Sequence, residues 1–505
     1  MKKICTAVVA LLIVTLLVSF TAHFEGNIPK TWDLKAIKNF HLPPPDTAVE
    51  VNYAPEAYYY ELPEHIITKV YPMYIREAER PGYLDSLRQL EPELVFDPSK
   101  LKTPEDWVKA GELVFHWPVA YTPVGGKVSA VDSALFRNSN GRITKEGVYP
   151  FSSYVVNEKG KLLVGSLSCA SCHTRVTHSG EVIPGAQGNV FNNVRFVSMI
   201  LSGKVPFPVF QESTFRLAYA PWAPESLANK PATVEEFAAF FKASRPGVSD
   251  RQGAAYLYPA MIPSLIGIKE IRYLDRTGLM KHESPADMMR YAAFNQGMDM
   301  LTAYNGFIPG GKNGNTQLPA PAEWSHPFGY VGKRYSDEQL YALTQYIYSL
   351  QPPKNPETYS RKLVAHGKLV FNQSGCVTCH TPPLYTNNKL TPANGFEPPE
   401  EHFNKYDIFN VSVGTDSVTA LYSRRGTGYY KVPSLRGVWM QDAFFHNGNL
   451  TTLEEVFDRK RLSPGYVPSG YKPPHLKTMA VKGHPFGLDL SEADKKALIT
   501  FLKTL

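Results

Sequence analysis

The pattern Cys-x-x-Cys-His occurs twice in this chain of 505 residues. Two thiols three positions apart can form thioether bonds to the two vinyl groups of one porphyrin, and the adjacent His places an imidazole nitrogen under the iron. Each motif therefore predicts one haem, so that two covalently bound haem c groups are expected. The predicted attachment residues are Cys169, Cys172, Cys376 and Cys379, and the predicted proximal iron ligands are His173 and His380.

Half of a zinc site and a thioredoxin-type redox pair are the alternatives for each Cys-x-x-Cys pair. A zinc ribbon does not require the following His, and a redox pair is expected in a βαβ context. Both alternatives are therefore disfavoured. The fifth cysteine, Cys5, lies in an N-terminal apolar stretch, so no structural disulfide is predicted.

The first residues of the chain have the pattern of a targeting segment. Lys2 and Lys3 precede an apolar run from Ile4 to Phe20, which indicates either a signal peptide or an uncleaved membrane anchor over residues 1–22. Haem is attached to c-type cytochromes on the outer side of the bacterial inner membrane. The chain is therefore predicted to lie in the periplasm, with a possible tether to the inner membrane through its N-terminus.

The net charge of the chain gives little indication of a partner. The formal charge is +7 at pH 7, and no run of basic residues interleaved with aromatic residues occurs. Nucleic-acid binding is therefore not predicted. A weakly basic surface can steer an acidic redox partner toward the protein.

Sequence landmarks recur in the same order in the two halves of the chain. A Gly-x-Leu-Val-Phe segment precedes each haem motif, a Pro-Ser-Leu-x-Gly segment follows it, and a helical pattern begun by Ser336 or Ser491 closes each series. The matched segments are 111–115 with 367–371, and 263–267 with 433–437. This repeat indicates an internal duplication of one haem domain.

The duplication predicts a mostly α fold with two cytochrome c-like haem domains, long loops and an extended N-terminal arm. The predicted divisions are a Pro- and Tyr-rich arm over 23–99, a first domain over 100–350, a linker over 351–360 and a second domain over 361–505. The linker is placed where three prolines occur within five residues, because proline resists helix and favours an extended path.

Residues 100–505 resemble the bacterial dihaem cytochrome c peroxidase superfamily, which includes the dihaem enzyme that matures tryptophan tryptophylquinone and the dihaem rubber oxygenases. The segments that carry the resemblance are 168–173, 263–275, 432–437, 445–448 and 452–456. Residues 24–99 match no recognised family.

The resemblance implies an oxidoreductase in which the N-terminal haem is catalytic and the C-terminal haem relays electrons. The leading prediction is a peroxidase that reduces hydrogen peroxide with electrons from a small periplasmic donor such as a cytochrome c or a cupredoxin. Two alternatives stay open. One is an oxygenase that uses dioxygen on an organic substrate, and the other is a non-enzymatic electron-transfer cytochrome.

The resemblance also suggests ligands for the sixth position of each iron. For the second haem, the position of the Met ligand used by many peroxidases of the family holds Lys460, and His484 is predicted as the sixth ligand instead. Tyr466 and Tyr471 are the weaker alternatives. For the first haem, the position of a removable His holds Asn189, so an open iron is predicted.

Two residues are predicted to act as the catalytic acid and base. The catalytic Glu of the family follows a Phe-Trp-Asp-like element, whose counterpart here is the segment 273–275. By this resemblance His282 or Glu283 would move a proton between the oxygens of peroxide. Lys431 and Arg436 are predicted partners of haem propionates.

Overall fold

The computed structural model describes residues 26–124, 142–189, 206–227, 233–250, 253–323 and 332–505, together with 197 and 200–203. The predicted signal peptide or anchor over 1–22 lies outside the described residues. Among the described helices, none is both long and apolar enough to cross a membrane.

Helices and long loops make up most of the described chain. The helices are α1 Leu34–Phe40, α2 Glu56–Glu61, α3 Tyr83–Arg88, α4 Pro104–His116, α5 Cys169–Cys172, α6 Phe207–Ala218, α7 Val234–Ala243, α8 Pro285–Asn295, α9 Asp337–Ser349, α10 Arg361–Gln373, α11 Cys376–Cys379, α12 Glu400–Lys405, α13 Val418–Tyr422, α14 Leu453–Val456 and α15 Glu492–Leu502.

The strands are short and antiparallel, with one larger sheet. They are β1 Val51–Asn52, β2 Val70–Tyr74, β3 Ala120–Pro123, β4 Val148–Glu158, β5 Lys161–Ser166, β6 Thr174–Val176, β7 Val182–Pro184, β8 Val248–Ser249, β9 Ala260–Met261, β10 Tyr273–Leu274, β11 Met280–Lys281, β12 Ala303–Tyr304, β13 Leu390–Pro392 and β14 Tyr429–Lys431. The larger sheet has the order β2-β4-β5-β3, and the other strands form two-stranded pairs.

The four-stranded sheet is a feature that the predicted mostly α fold does not contain. Strands β3, β4 and β5 lie in the insertion before the first haem motif, and β4 buries Phe151, Tyr154 and Val156. Strand β2 comes from the N-terminal arm and pairs with β4, with Val70 opposite Val155. The arm is therefore hydrogen-bonded into the body of the protein, and the fold combines helices with an antiparallel sheet.

The helix pair α4 and α9 packs at very short distance in the first half of the chain. Thr103 and Asp106 form a capping box at the start of α4, which satisfies backbone N–H groups that a helix leaves unpaired. A Cβ atom built on Gly111 would lie 1.9 Å from the carbonyl oxygen of Ala342. Glycine is therefore required for the two helices to approach this closely.

The helix pair α10 and α15 in the second half meets through the same contact. A Cβ atom built on Gly367 would lie 2.0 Å from the carbonyl oxygen of Ala497. Both glycines belong to the repeated Gly-x-Leu-Val-Phe segment, and both alanines lie six positions after the capping Ser. A hydrophobic cluster around Val370, Phe371 and Phe501 lies beside this contact.

The N-terminal arm packs tightly against the first half of the chain. Trp32 is buried, stacks on Tyr59 with 4.7 Å between ring centroids, and lies 5.3 Å from the ring of Phe294 on α8. The indole N–H donates to the carbonyl of Ala54 at 2.8 Å, so the buried polar atom is satisfied. Trp32 and Tyr59 of the arm therefore belong to the same hydrophobic core as Phe294 of α8.

Candidate haem sites

The first haem motif forms a single helical turn that fixes its own histidine. Ser168 caps α5 by accepting a hydrogen bond from the backbone of Ser171 at 3.1 Å. The Nδ1 atom of His173 lies 3.1 Å from the carbonyl oxygen of Pro263. Because a carbonyl only accepts, Nδ1 carries the hydrogen and Nε2 keeps the lone pair that an iron needs.

The second motif repeats this arrangement on α11. The Nδ1 atom of His380 lies 3.1 Å from the carbonyl oxygen of Tyr385, and the nearby backbone of Pro433 also favours the protonated imidazole. Burial lowers the pKa of His380, which favours the neutral form that binds metals. Pro263 and Pro433 are the first residues of the repeated Pro-Ser-Leu-x-Gly segments.

A solvent-open cleft of about 1060 Å³ borders Cys169, Cys172 and His173. Its apolar walls include Ala260, Ile262, Leu265, Ile268, Met288, Ala292, Leu343 and Ile347. Its polar walls include Asp275, Arg276, Tyr291, Asn295, Gln296, Arg425 and Lys431. Two thiols, an imidazole, apolar walls and a cationic end together suit a haem, whose ring is apolar and whose propionates are acidic.

The polar end of the cleft is organised around the buried carboxylate of Asp275. It accepts from the Tyr291 hydroxyl at 3.1 Å and lies 3.4 Å from Nη1 of Arg425. Burial alone would raise the pKa of Asp275, but Arg276 and Arg425 hold it below its usual value. Burial lowers the pKa of Lys431 to about 8, an effect that nearby Asp275 reduces. The cleft therefore ends in an ionised carboxylate beside several cations.

Arg425 connects the two halves of the chain at this site. Its guanidinium also lies 3.1 Å from the carboxylate of Asp299 and donates to the side-chain oxygen of Asn295 at 2.8 Å. Its neighbour Arg424 lies 3.5 Å from the same Asp299 carboxylate. The side chains of Asp299, Arg424 and Arg425 are all buried. No role was predicted for these residues from the sequence, in which the adjacent arginines at 424 and 425 are the local pattern that marks the cluster.

The imidazole of His484 faces that of His380, with 6.5 Å between ring centroids and 50° between ring planes. Metal–imidazole bonds are about 2 Å long, so two imidazoles on opposite sides of one metal place their nitrogens about 4 Å apart. Adding the distance from each imidazole nitrogen to the centroid of its own ring gives a distance between centroids close to the observed 6.5 Å. The Nδ1 atom of His484 is buried without a hydrogen-bond partner in the described chain, so no hydrogen bond to Nδ1 orients this ring in the way that the carbonyl of Pro263 orients the ring of His173.

The alternative ligands from the sequence analysis are engaged elsewhere. The Tyr466 hydroxyl donates to Glu455 at 2.6 Å, and the Tyr471 hydroxyl donates to the carbonyl of Leu257 at 2.7 Å. The side chain of Asn189 hydrogen-bonds to both backbone groups of Val176. Asn189 therefore holds the chain that follows the first motif. His173 is the one histidine among the described residues that line the cleft.

The structure does not bring His282 and Glu283 to the cleft. Strands β10 and β11 form a hairpin, which returns the chain so that the backbone of His282 pairs with Arg272 at 2.7 Å. The His282 ring lies between the carbonyl of Ile271 and the hydroxyl of Tyr348. Burial lowers the pKa of His282. The hairpin reaches the cleft at Asp275 and Arg276 and then leads away from it, so His282 and Glu283 lie outside the described lining.

Glu283 and Arg436 also point to partners outside the cleft. The Glu283 carboxylate is half-exposed and pairs with Lys281 at 2.7 Å. Arg436 pairs with Glu270 at 2.6 Å, whereas Lys431 lines the cleft. Of the two predicted propionate partners, Lys431 is the one that the structure places at the first site.

No family model matches the chain. Among curated proteins, it is 30% identical over 92 residues to the cytochrome c551 peroxidase of Nitrosomonas europaea, covering 18% of this chain and 25% of that protein. It is 28% identical over 146 residues to the methylamine utilization protein MauG of Methylorubrum extorquens, covering 27% of this chain and 32% of that protein. The chain therefore spans between a quarter and a third of the length of these relatives.

Two solved structures share low similarity with the chain. Hydrazine synthase of Kuenenia stuttgartiensis has a TM-score of 0.28 and 13% identity, covering 61% of this chain and 92% of that one. A MauG-like protein associated with microbial copper homeostasis has a TM-score of 0.31 and 15% identity, covering 57% and 93%. At these scores the structural similarity carries no argument. The sequence matches to a cytochrome c peroxidase and to MauG confirm the resemblance, predicted from the motifs, to the bacterial dihaem cytochrome c peroxidase superfamily.

Proposed function

We propose that this chain is an exported dihaem c-type cytochrome that acts as an oxidoreductase of the cytochrome c peroxidase type. Hydrogen peroxide is reduced at the N-terminal haem, with electrons relayed by the C-terminal haem. The observation that carries this proposal is the difference between the motif histidines. His380 faces a second imidazole, that of His484, whereas His173 borders a cleft that ends in Asp275 and Arg425.

A haem iron with an open sixth position can bind peroxide or dioxygen, and one closed by two imidazoles changes its geometry little on electron transfer. The residues of this chain provide that difference. The two cysteine pairs would hold the haems, and His173 and His380 would be the proximal ligands. His484 would close the second site.

Tyr291 and Asp275 are the side chains best placed to handle protons at the first site. Reducing one peroxide to two waters consumes two electrons and two protons. Tyr291 lines the cleft, and burial, followed by the charge of Asp275, raises its pKa, so its hydroxyl stays protonated. The hydroxyl donates its one hydrogen to the ionised Asp275, and its oxygen can accept a hydrogen bond from a peroxide O–H, which would orient the substrate. His282 and Glu283 would need a rearrangement to take this role.

The domain organisation supports one haem in each half of the chain. The contacts of Gly111 with Ala342 and of Gly367 with Ala497 are equivalent, and the Nδ1 atom of each proximal imidazole lies 3.1 Å from a backbone carbonyl oxygen. We therefore propose that residues 100–350 and 361–505 are duplicated haem domains joined by the linker over 351–360. The proposed location is the periplasm, and the proposed electron donor is a small cytochrome c or cupredoxin.

Spectroscopy of the purified, haem-loaded protein tests this function. Mass spectrometry should show two added haems, and optical and electron-paramagnetic-resonance spectra should show one high-spin and one low-spin iron. Peroxide should react with the high-spin iron. Two low-spin irons without a peroxide reaction would indicate an electron-transfer cytochrome, and oxidation of an organic substrate by dioxygen would indicate an oxygenase.

Two variants test the assigned residues. Replacing Tyr291 with Phe should lower peroxide turnover about 100-fold or more while leaving both haem spectra intact, in the range typical of general acid–base groups. Replacing His484 with Ala should convert only the second haem to a high-spin spectrum. The exposed His475 offers a control, because replacing it with Ala should change neither property.

A further inference from the structure

One arginine holds the loop that carries His484. Arg461 is fully buried and lies on the 3-10 helix Arg459–Leu462. Its Nε donates to the carbonyl of Val456 at 3.0 Å, its Nη1 to that of Val481 at 2.7 Å, and its Nη2 to that of His484 at 2.9 Å. A single guanidinium therefore ties three separate points of the backbone together.

The backbone at His484 adopts a conformation that needs such support. Its φ of 46° lies in the left-handed region, which residues other than glycine rarely adopt. The preceding Gly483 has a φ of 91°, and a Cβ atom there would lie 2.5 Å from the Cα of Thr415. Since the Nδ1 of His484 has no hydrogen-bond partner in the described chain, the backbone orients the imidazole.

Arg461 also places a buried positive charge beside the second site. Its nitrogens donate to carbonyl groups, and no carboxylate of the described residues forms an ion pair with it. The guanidinium lies 5.1 Å from the ring centre of Phe445, which in turn lies 6.3 Å from the His484 ring.

We propose that Arg461 is a positioning residue that fixes His484 as the sixth ligand of the second haem and raises the reduction potential of that haem. A nearby cation favours the reduced iron, because reduction removes one positive charge from the site. The planar fork of arginine reaches several acceptors in fixed directions, which an ammonium group cannot do. This inference rests on the proposed function, since it takes His484 to be an iron ligand.

Redox titration of the haem-loaded, full-length protein tests the proposal, with each haem followed by its optical spectrum. Replacing Arg461 with Met should lower the potential of the second haem and increase its high-spin fraction. Replacing Arg461 with Lys should keep the potential near that of the unaltered protein, because the charge remains, and still increase the high-spin fraction. The first haem should keep its potential in both variants.

Lys460 provides a matched control for charge. It is the exposed neighbour of Arg461, so replacing Lys460 with Met removes one positive charge from the same turn and should leave the potential and the spectrum unchanged. An equal shift in this control would overturn the proposal. So would an Arg461→Met variant with unchanged potential, or an Arg461→Lys variant with a fully low-spin second haem.

The proposed function fails separately from this inference. If His484→Ala leaves the spectrum of the second haem unchanged, then His484 is not the ligand and the proposed second site is wrong. If His484→Ala gives the high-spin spectrum but the Arg461 variants behave like the unaltered protein, only the role of Arg461 is wrong. Mass spectrometry and circular dichroism establish that each variant is folded and carries both haems.

Discussion

The two haem motifs lie on similar supports but face different surroundings. In both halves a glycine brings two helices together, and a backbone carbonyl oxygen lies 3.1 Å from Nδ1 of the motif imidazole. The chain from Phe115 to Cys169 spans 54 positions, whereas that from Phe371 to Cys376 spans 5. The longer segment carries strands β3, β4 and β5 of the larger sheet. The contacts that hold the motif histidine are therefore alike in the two halves, whereas the residues on the other side of each imidazole differ.

The charge cluster that joins the halves should give the largest effect on stability. Replacing Arg425 with Leu leaves the buried carboxylates of Asp275 and Asp299 without a main partner, so the free energy of unfolding should fall by about 3–5 kcal/mol. Urea unfolding, followed by fluorescence and by both haem spectra, measures this. The exposed pair of Arg459 and Asp489 offers a control, because Arg459→Leu should cost less than about 1 kcal/mol. Equal losses would contradict the role of the cluster.

The two helix contacts should be similarly sensitive to a single methyl group. Gly111→Ala and Gly367→Ala each place a Cβ about 2 Å from a backbone carbonyl oxygen, and each should lower the free energy of unfolding by about 3 kcal/mol. The first variant should perturb the spectrum of the first haem and the second variant that of the second haem. Gly465→Ala is the control, because that glycine is exposed and has open space around it. Strongly unequal losses would break the equivalence of the two halves.

The sequence was a good guide where chemistry fixes local spacing. The cysteines and histidine of each motif must lie within one helical turn to meet one haem, and α5 and α11 have this geometry. The repeated glycines and capping serines mark equivalent helix contacts, because close helix packing and unpaired N–H groups each require particular residues. His484 was identified by resemblance, and the structure places it opposite His380.

Contacts between distant segments were beyond the sequence analysis. Arg425 lies 150 positions from Asp275, and strand β2 comes from the arm to pair with β4 far along the chain. Such pairings depend on the packed fold and leave little local pattern. A count of residues from Asp275 likewise does not show the hairpin that reverses the chain there and places His282 and Glu283 outside the described lining of the cleft.

Acid should weaken the first half through a buried histidine of the arm. Burial, followed by the charge of Lys333, lowers the pKa of His65 to about 3. Because the unfolded chain binds this proton near pH 6.5, stability is lost as pH falls from 6.5 toward 3, by about 1.4 kcal/mol per pH unit. His65→Phe keeps a ring beside Trp117 and Tyr335 and should flatten this slope in urea unfolding at pH 5 to 7. The exposed His475→Phe should leave the slope unchanged, and a His65 variant with the same slope would contradict the assignment.

The capping serines should show the smallest effect and a graded difference between the halves. Ser336 is buried in a capping box with Gln339, whose side chain also donates to the carbonyl of His65 at 2.8 Å. Ser491 is exposed and accepts from the backbone of Asp494 at 3.1 Å. Replacement by Ala typically costs about 0.5–2 kcal/mol, so Ser336→Ala should fall near the upper end and Ser491→Ala near the lower end in urea unfolding. The contact between His65 of the arm and Gln339 is what distinguishes the start of α9 from that of α15. Equal losses would therefore mean that the arm does not strengthen the cap of α9.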